Sequence, residues 1–160
     1  MPATDISTGL DDISFLGRLS EALSTTIEEQ TRPLFDDAGI VVPVRSCSLL
    51  TALGETGEAS AAELARTLGQ SHQLVIQKFP ALLRLGLVTQ HADPDDARRK
   101  NFRLTDAGRD QLARIAAYSE RIGMVYRTLF EEVGDVHGAI LKALSALEKR
   151  TLAQRIGLEV

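Results

Sequence analysis

Gln73 and Gln77 stand one helical turn apart, with His72 and Ile76 on the same stripe and Lys78 beside them. These are residue types that read base edges: a glutamine amide bonds bidentately to adenine, and an isoleucine presses on a thymine methyl. The set points to double-stranded DNA with an A/T-leaning half-site. Arg98, Arg99, Lys100 and Arg103 supply cations for phosphate, each worth about one released counterion on contact. Ser60 and Ser71 open helices, where an amide or hydroxyl either contacts a phosphate or only caps the helix.

Other chemistries lack a constellation. His72, His91 and His137 are too scattered for a triad or a metal site, and no Cys/His spacing of the zinc type occurs. Asp11-Asp12, Glu28-Glu29, Asp36-Asp37 and Glu131-Glu132 read as cap and surface carboxylates, and there is no glycine-rich phosphate loop. Neither an enzyme nor a cofactor is expected. Cys47, the only cysteine, lies on an inward helix face with Arg45 two residues away, which favours a structural thiol over a redox switch.

Charge agrees with a local nucleic-acid surface. The 160 residues carry a net charge of -4, yet residues 71–103 hold six Lys/Arg against three Asp/Glu, whereas residues 1–70 hold four against eleven. Screening beyond roughly 10 Å lets one basic segment act locally. The first ten residues lack the basic start and apolar run of an export signal, and no stretch reaches the roughly 18 apolar residues of a membrane helix. A cytoplasmic protein with no membrane partner is expected.

The elements that must position these residues are mostly helical. Leu and Ala carry the apolar content and aromatics make up 4%. Asp11 or Asp12 caps a helix whose stripe is Ile13, Leu16, Leu19, Leu23 and Ile27, with Pro33 expected to bend or end it. A second helix starts at Pro43, runs to about Leu53 and stops at Gly54 to Gly57. Ser60 and Glu63 fit a capping box that opens a short helix ending at Gly69. Ser71 caps the next helix, with Val75, Phe79 and Leu82 inward and Gly86 at its end; Pro80 lies inside it and should kink it. Two helices sharing so short a turn form a helix-turn-helix. Leu87 to His91 and Lys100 to Thr105 read as two strands of a hairpin wing with a charged tip between them. Thr105 then caps a long helix with the seam Ile115, Tyr118, Ile122, Val125 and Leu129, and after Gly134 a last helix carries Val136, Ile140, Leu144 and Leu147.

This order resembles the MarR family of winged-helix transcriptional regulators. The likeness rests on Ser60-Ala-Ala-Glu-Leu-Ala65, Ser71, Leu82 with Gly86-Leu-Val88, Asp93-Pro-Asp-Asp-Ala-Arg98 and Leu104-Thr-Asp-Ala-Gly108. It implies a mainly α fold: a winged helix-turn-helix with a short β-hairpin wing, flanked by long helices that form a dimerisation region. The corresponding division is a flexible arm at 1–10, an N-terminal dimerisation helix at 11–42, a DNA-binding winged helix at 43–106 and C-terminal dimerisation helices at 107–160. The resemblance further implies a homodimer on a pseudo-palindromic operator, a repressor relieved by a small aromatic ligand. Asp96 would orient Arg98 toward the minor groove. Gln77 departs from the family, which often has Arg there, and Pro80 departs as well. The rival reading is a winged helix that holds another protein and binds DNA weakly or without specificity.

Overall fold

The computed structural model describes residues 12–96 and 98–158. The arm at 1–10, the cap Asp11 and Ala97 of the wing motif lie outside the described residues. The chain divides into two compact units, Met1–Ala117 and Tyr118–Val160. The division falls inside a helix, eleven residues beyond the end of the expected 43–106 segment.

In the first unit, Asp12 Oδ1 accepts from the Ser14 amide at 2.8 Å and caps a short 3-10 turn, Ile13–Phe15. Helix α1, Leu16–Asp37, follows and contains Pro33. Pro33 does not end the helix, because α1 runs four residues past it. Pro33 and Glu29, whose carbonyl loses its donor, are both exposed on the same helix face, so the missing bond lies toward solvent. Gly39, at φ 64°, closes the element.

A 3-10 turn at Val44–Ser46 leads into α2, Cys47–Thr56. The stop is Gly57 at φ 75°, whereas Gly54 lies within the helix, where a Cβ would collide with Leu112. Strand β1, Glu58–Ser60, follows. Helix α3 spans Ala61–Leu68 and α4 spans His72–Arg84, running through Pro80. Gly69, at φ 60°, makes the left-handed exit between α3 and α4. Strands β2, Val88–Ala92, and β3, Lys100–Leu104, complete the sheet.

The sheet has three strands in the order β1-β3-β2, not the two of a simple hairpin. Both pairings are antiparallel, with Glu58 opposite Arg103 and Gln90 opposite Phe102. Strand β1 has only three residues, too few for alternation to show. The core is formed by Leu49, Leu50 and Leu53 of α2, Leu64 of α3, and Val75 and Leu82 of α4, all fully buried. Each such side chain contributes about 1.5–3 kcal/mol. Phe102 and Leu104 add the inner face of β3.

Helix α5, Asp106–Val133, begins where Thr105 Oγ1 accepts from the Gly108 amide at 3.0 Å and donates to the Gly86 carbonyl at 2.6 Å. Gly108 leaves no room for a side chain, because a Cβ would run into the Leu87 carbonyl oxygen. That carbonyl also accepts from the Thr105 amide at 3.0 Å, so the helix start is tied to the strand that leads into the wing.

The second unit holds the end of α5, then α6, Val136–Lys149, and α7, Leu152–Arg155. The short α7 follows the helix expected to be last. Thr151 and Gln154 form its capping box. Among the described residues of this unit none is buried, and Val125, Leu129, Ile140, Leu144 and Leu147 are all exposed.

Candidate nucleic-acid interface

Helix α4 separates its residues as the spacing predicts. Val75, Phe79 and Leu82 point into the core, whereas His72, Gln73, Ile76 and Gln77 are exposed. Ser71 Oγ accepts from the Leu74 amide at 3.2 Å and fixes where the helix starts. Lys78 stands apart. It is half-buried, with Nζ donating to Gln70 Oε1 at 2.7 Å, and burial together with the nearby Arg45 charge lowers its pKa from the ordinary value. Its ammonium ties α4 to the turn before it.

Ser60 is buried, and its polar atoms are engaged within the capping box. Its amide donates to Glu63 Oε2 at 2.8 Å, its hydroxyl donates to the same oxygen at 2.6 Å, and its Oγ accepts from the Glu63 amide. Of the two roles open to Ser60, it fills that of a cap here. The bonds from Ser60 hold the Glu63 carboxyl below the usual carboxylate range.

The wing tip is built by backbone amides donating to aspartates. Asp93 Oδ1 accepts from the Asp95 amide at 2.9 Å and from the Asp96 amide at 3.3 Å. The ring closes through Arg99 N to Asp96 O at 2.8 Å and Asp93 N to Arg99 O at 3.0 Å. The Asp95 amide is the chief reason the Asp93 carboxyl lies below its ordinary range. Asp96 Oδ1 accepts from the backbone amide of Arg98 at 3.0 Å. Asp96 thus shapes the chain beneath Arg98, whereas the family resemblance implied that it steers the guanidinium.

The wing cations differ in freedom. Arg98 and Lys100 are exposed, and among the described residues no ion pair holds either. Arg99 Nε lies 4.0 Å from Asp93 Oδ2. Arg103, read from the sequence as a phosphate contact, instead pairs with Glu58 across the β1–β3 register. Asn101 Nδ2 adds a bond to Glu58 Oε1 at 3.1 Å. Sequence spacing could not reveal this pairing, because it needs the strand β1 that the pattern did not show.

These elements define a winged-helix protein: a helix-turn-helix with an exposed second helix, followed by a three-stranded sheet whose last two strands carry a basic tip. Residues 42–99 match the model of the MarR family, so this segment is similar to that family of winged-helix regulators. Solved structures agree on the fold. A probable transcriptional regulator from Pseudomonas aeruginosa shares 27% identity, with 85% of this chain and 96% of that chain covered and a TM-score of 0.56. The PcaV transcriptional regulator from Streptomyces coelicolor, in complex with its natural ligand, shares 21% identity, with 91% and 99% covered and a TM-score of 0.64. YusO from Bacillus subtilis shares 20%, with 83% and 93% covered and a TM-score of 0.53. No curated protein matches the sequence. Among the described residues, no helix is long and apolar enough to cross a membrane.

Proposed function

We propose that this chain is a DNA-binding transcriptional regulator that acts as a homodimer on a pseudo-palindromic operator, as a repressor relieved by a small ligand. The observation that carries the reading is the combination of the exposed α4 face, His72, Gln73, Ile76 and Gln77, with the exposed wing cations Arg98 and Lys100, which no ion pair holds among the described residues. The α4 residues suit base edges in a major groove, and the wing suits the adjacent backbone and minor groove. Ser71 and Arg99 support them at the phosphates.

Dimerisation is supported by the second unit. Its helices bury no side chain of their own among the described residues, and exposed large apolar side chains recur along α5 and α6. Such helices gain a core when a second copy covers them. A two-fold pair then offers two α4 helices to half-sites about one DNA turn apart. Relief by a ligand rests on likeness alone, to a regulator solved with its natural ligand.

Selection of bound duplexes from a random pool, followed by salt titration of the enriched sequence, tests the reading. The expected result is an inverted repeat with A/T-leaning half-sites and an affinity that falls steeply with salt. A pool that remains unenriched at low salt would overturn it and favour the protein-docking alternative.

A further inference from the structure

Asn101, in the central strand β3, donates from its side-chain amide to carboxylates of two other segments. Its Nδ2 lies 3.1 Å from Glu58 Oε1 on β1 and 3.4 Å from Oδ2 of Asp93, the first residue after β2. An amide nitrogen carries two hydrogens, so one group answers both acceptors. The other end of the same amide is left out: among the described residues Asn101 Oδ1 is buried and meets no donor. A buried acceptor without a donor costs stability, and a β-branched residue suits a central strand better. Stability alone therefore does not account for asparagine at this position; what its nitrogen end connects does.

Asp93 is the hub of the wing tip. Its Oδ1 accepts the Asp95 and Asp96 amides, and Asp96 Oδ1 in turn accepts the Arg98 amide. Glu58 belongs to the strand that leads directly into α3, and Ser60, the cap of α3, stands opposite Asn101 in the β1–β3 register. Asn101 thus joins the tip that carries Arg98 to the start of the helix-turn-helix. Without its amide, the Glu58 and Asp93 carboxylates lose the donor between them and repel each other.

We propose that Asn101 is a positioning residue that acts through Asp93, setting the wing tip so that Arg98 reaches a duplex whose register α4 fixes. The effect on DNA rests on the DNA-binding reading above; the bridge from Glu58 to Asp93 does not.

The test uses the full chain and an inverted-repeat duplex enriched from a random pool. Asn101→Ala alters no charge. Fluorescence anisotropy at fixed salt gives the affinities of the parent, Asn101→Ala, Arg98→Gln and the double variant. Arg98→Gln should weaken the parent roughly fivefold, but in the Asn101→Ala background, where the tip is already displaced, it should cost less than about twofold. Gln73→Ala on α4 should cost the same factor in both backgrounds. Independently of DNA, amide exchange followed by NMR at Asp95 and Asp96 should be faster in Asn101→Ala by at least roughly fivefold. Equal losses for Arg98→Gln in the two backgrounds would overturn the proposal, because Asn101 would then act on stability alone. Unchanged exchange at Asp95 and Asp96 would overturn it too, since Asp93 would hold its turn unaided. If Asn101→Ala melts well below the parent, Asn101→Thr, which suits a strand and is too short to reach both carboxylates, takes its place in the same measurements. If the parent binds no duplex, the DNA reading fails, and the bridge stands or falls on the exchange rates.

Discussion

The rings of Phe79 and Phe102 stack with centroids 3.5 Å apart and planes inclined by 11°. One belongs to the exposed-faced helix α4 and the other to the wing strand β3, and both are almost fully buried. The contact joins the two elements that carry the interface, so the wing is held by the same core that orients α4.

Phe102→Ala should therefore cost about 3–5 kcal/mol, the usual range for removing a buried ring. Phe102→Leu retains most of the apolar volume and should cost distinctly less. Urea denaturation followed by circular dichroism measures both. A Phe102→Ala midpoint equal to that of the parent would show that the ring is not a core element.

Much of this arrangement is legible in the sequence because it is locally determined. The capping box of Ser60 and Glu63, the left-handed Gly69, the Ser71 cap and the inward set Val75, Phe79 and Leu82 each follow from residues within one or two turns. What is not legible depends on distant partners. The Glu58–Arg103 pair spans 45 residues and exists only once β1 joins β3. Lys78 reads as an outward cation until the turn before α4 brings Gln70 against it. Pro33 reads as a bend or an end, yet α1 runs past it, because the carbonyl that loses its donor lies toward solvent. Periodicity shows which way a side chain faces, but not which polar partner removes it from solvent.

The difference between free and paired wing cations can be measured. Arg98→Gln and Lys100→Gln should each reduce the slope of log affinity against log salt by about one, while Arg103→Gln, whose parent residue already pairs with Glu58, should leave the slope unchanged. Fluorescence anisotropy with a fixed operator duplex across a salt series supplies the slopes. A full unit lost in Arg103→Gln would show that Arg103 leaves Glu58 for a phosphate.

Acid should weaken the fold in a defined direction. The Glu58 carboxyl is held below its ordinary range by the Arg103 hydrogen bond and then by that of Asn101; Glu63 is held low by Ser60, and Asp93 by the Asp95 amide. A carboxyl whose folded pKa is depressed binds fewer protons folded than unfolded. Its contribution is complete above the unfolded value, roughly 4 to 4.5, and is lost as pH falls through the folded value. The urea midpoint should therefore decline below about pH 4.5. Glu63→Gln, which keeps a side-chain acceptor for the Ser60 amide but does not titrate, should decline less between pH 5 and pH 3. Equal declines for parent and variant would remove the capping box from the acid response.

Cys47 provides a chemical check on the packing beneath the interface. It is partly buried, its Sγ lies 3.7 Å from the Pro43 carbonyl oxygen, and burial pushes its thiol up to about 11. Only thiolate attacks disulfides and peroxide, and at pH 8 a thiol of that pKa is ionised to about one part in a thousand, against roughly a quarter for a free cysteine near 8.5. Labelling by an aromatic disulfide reagent at pH 8 should thus be slower in the folded chain than in urea by at least on the order of a hundredfold. Peroxide that leaves the unfolded thiol oxidised should leave DNA binding by the folded protein unchanged. Rapid labelling of the native chain would mean that α2 opens at Cys47, and a peroxide-sensitive footprint that Cys47→Ser abolishes would make this thiol a switch.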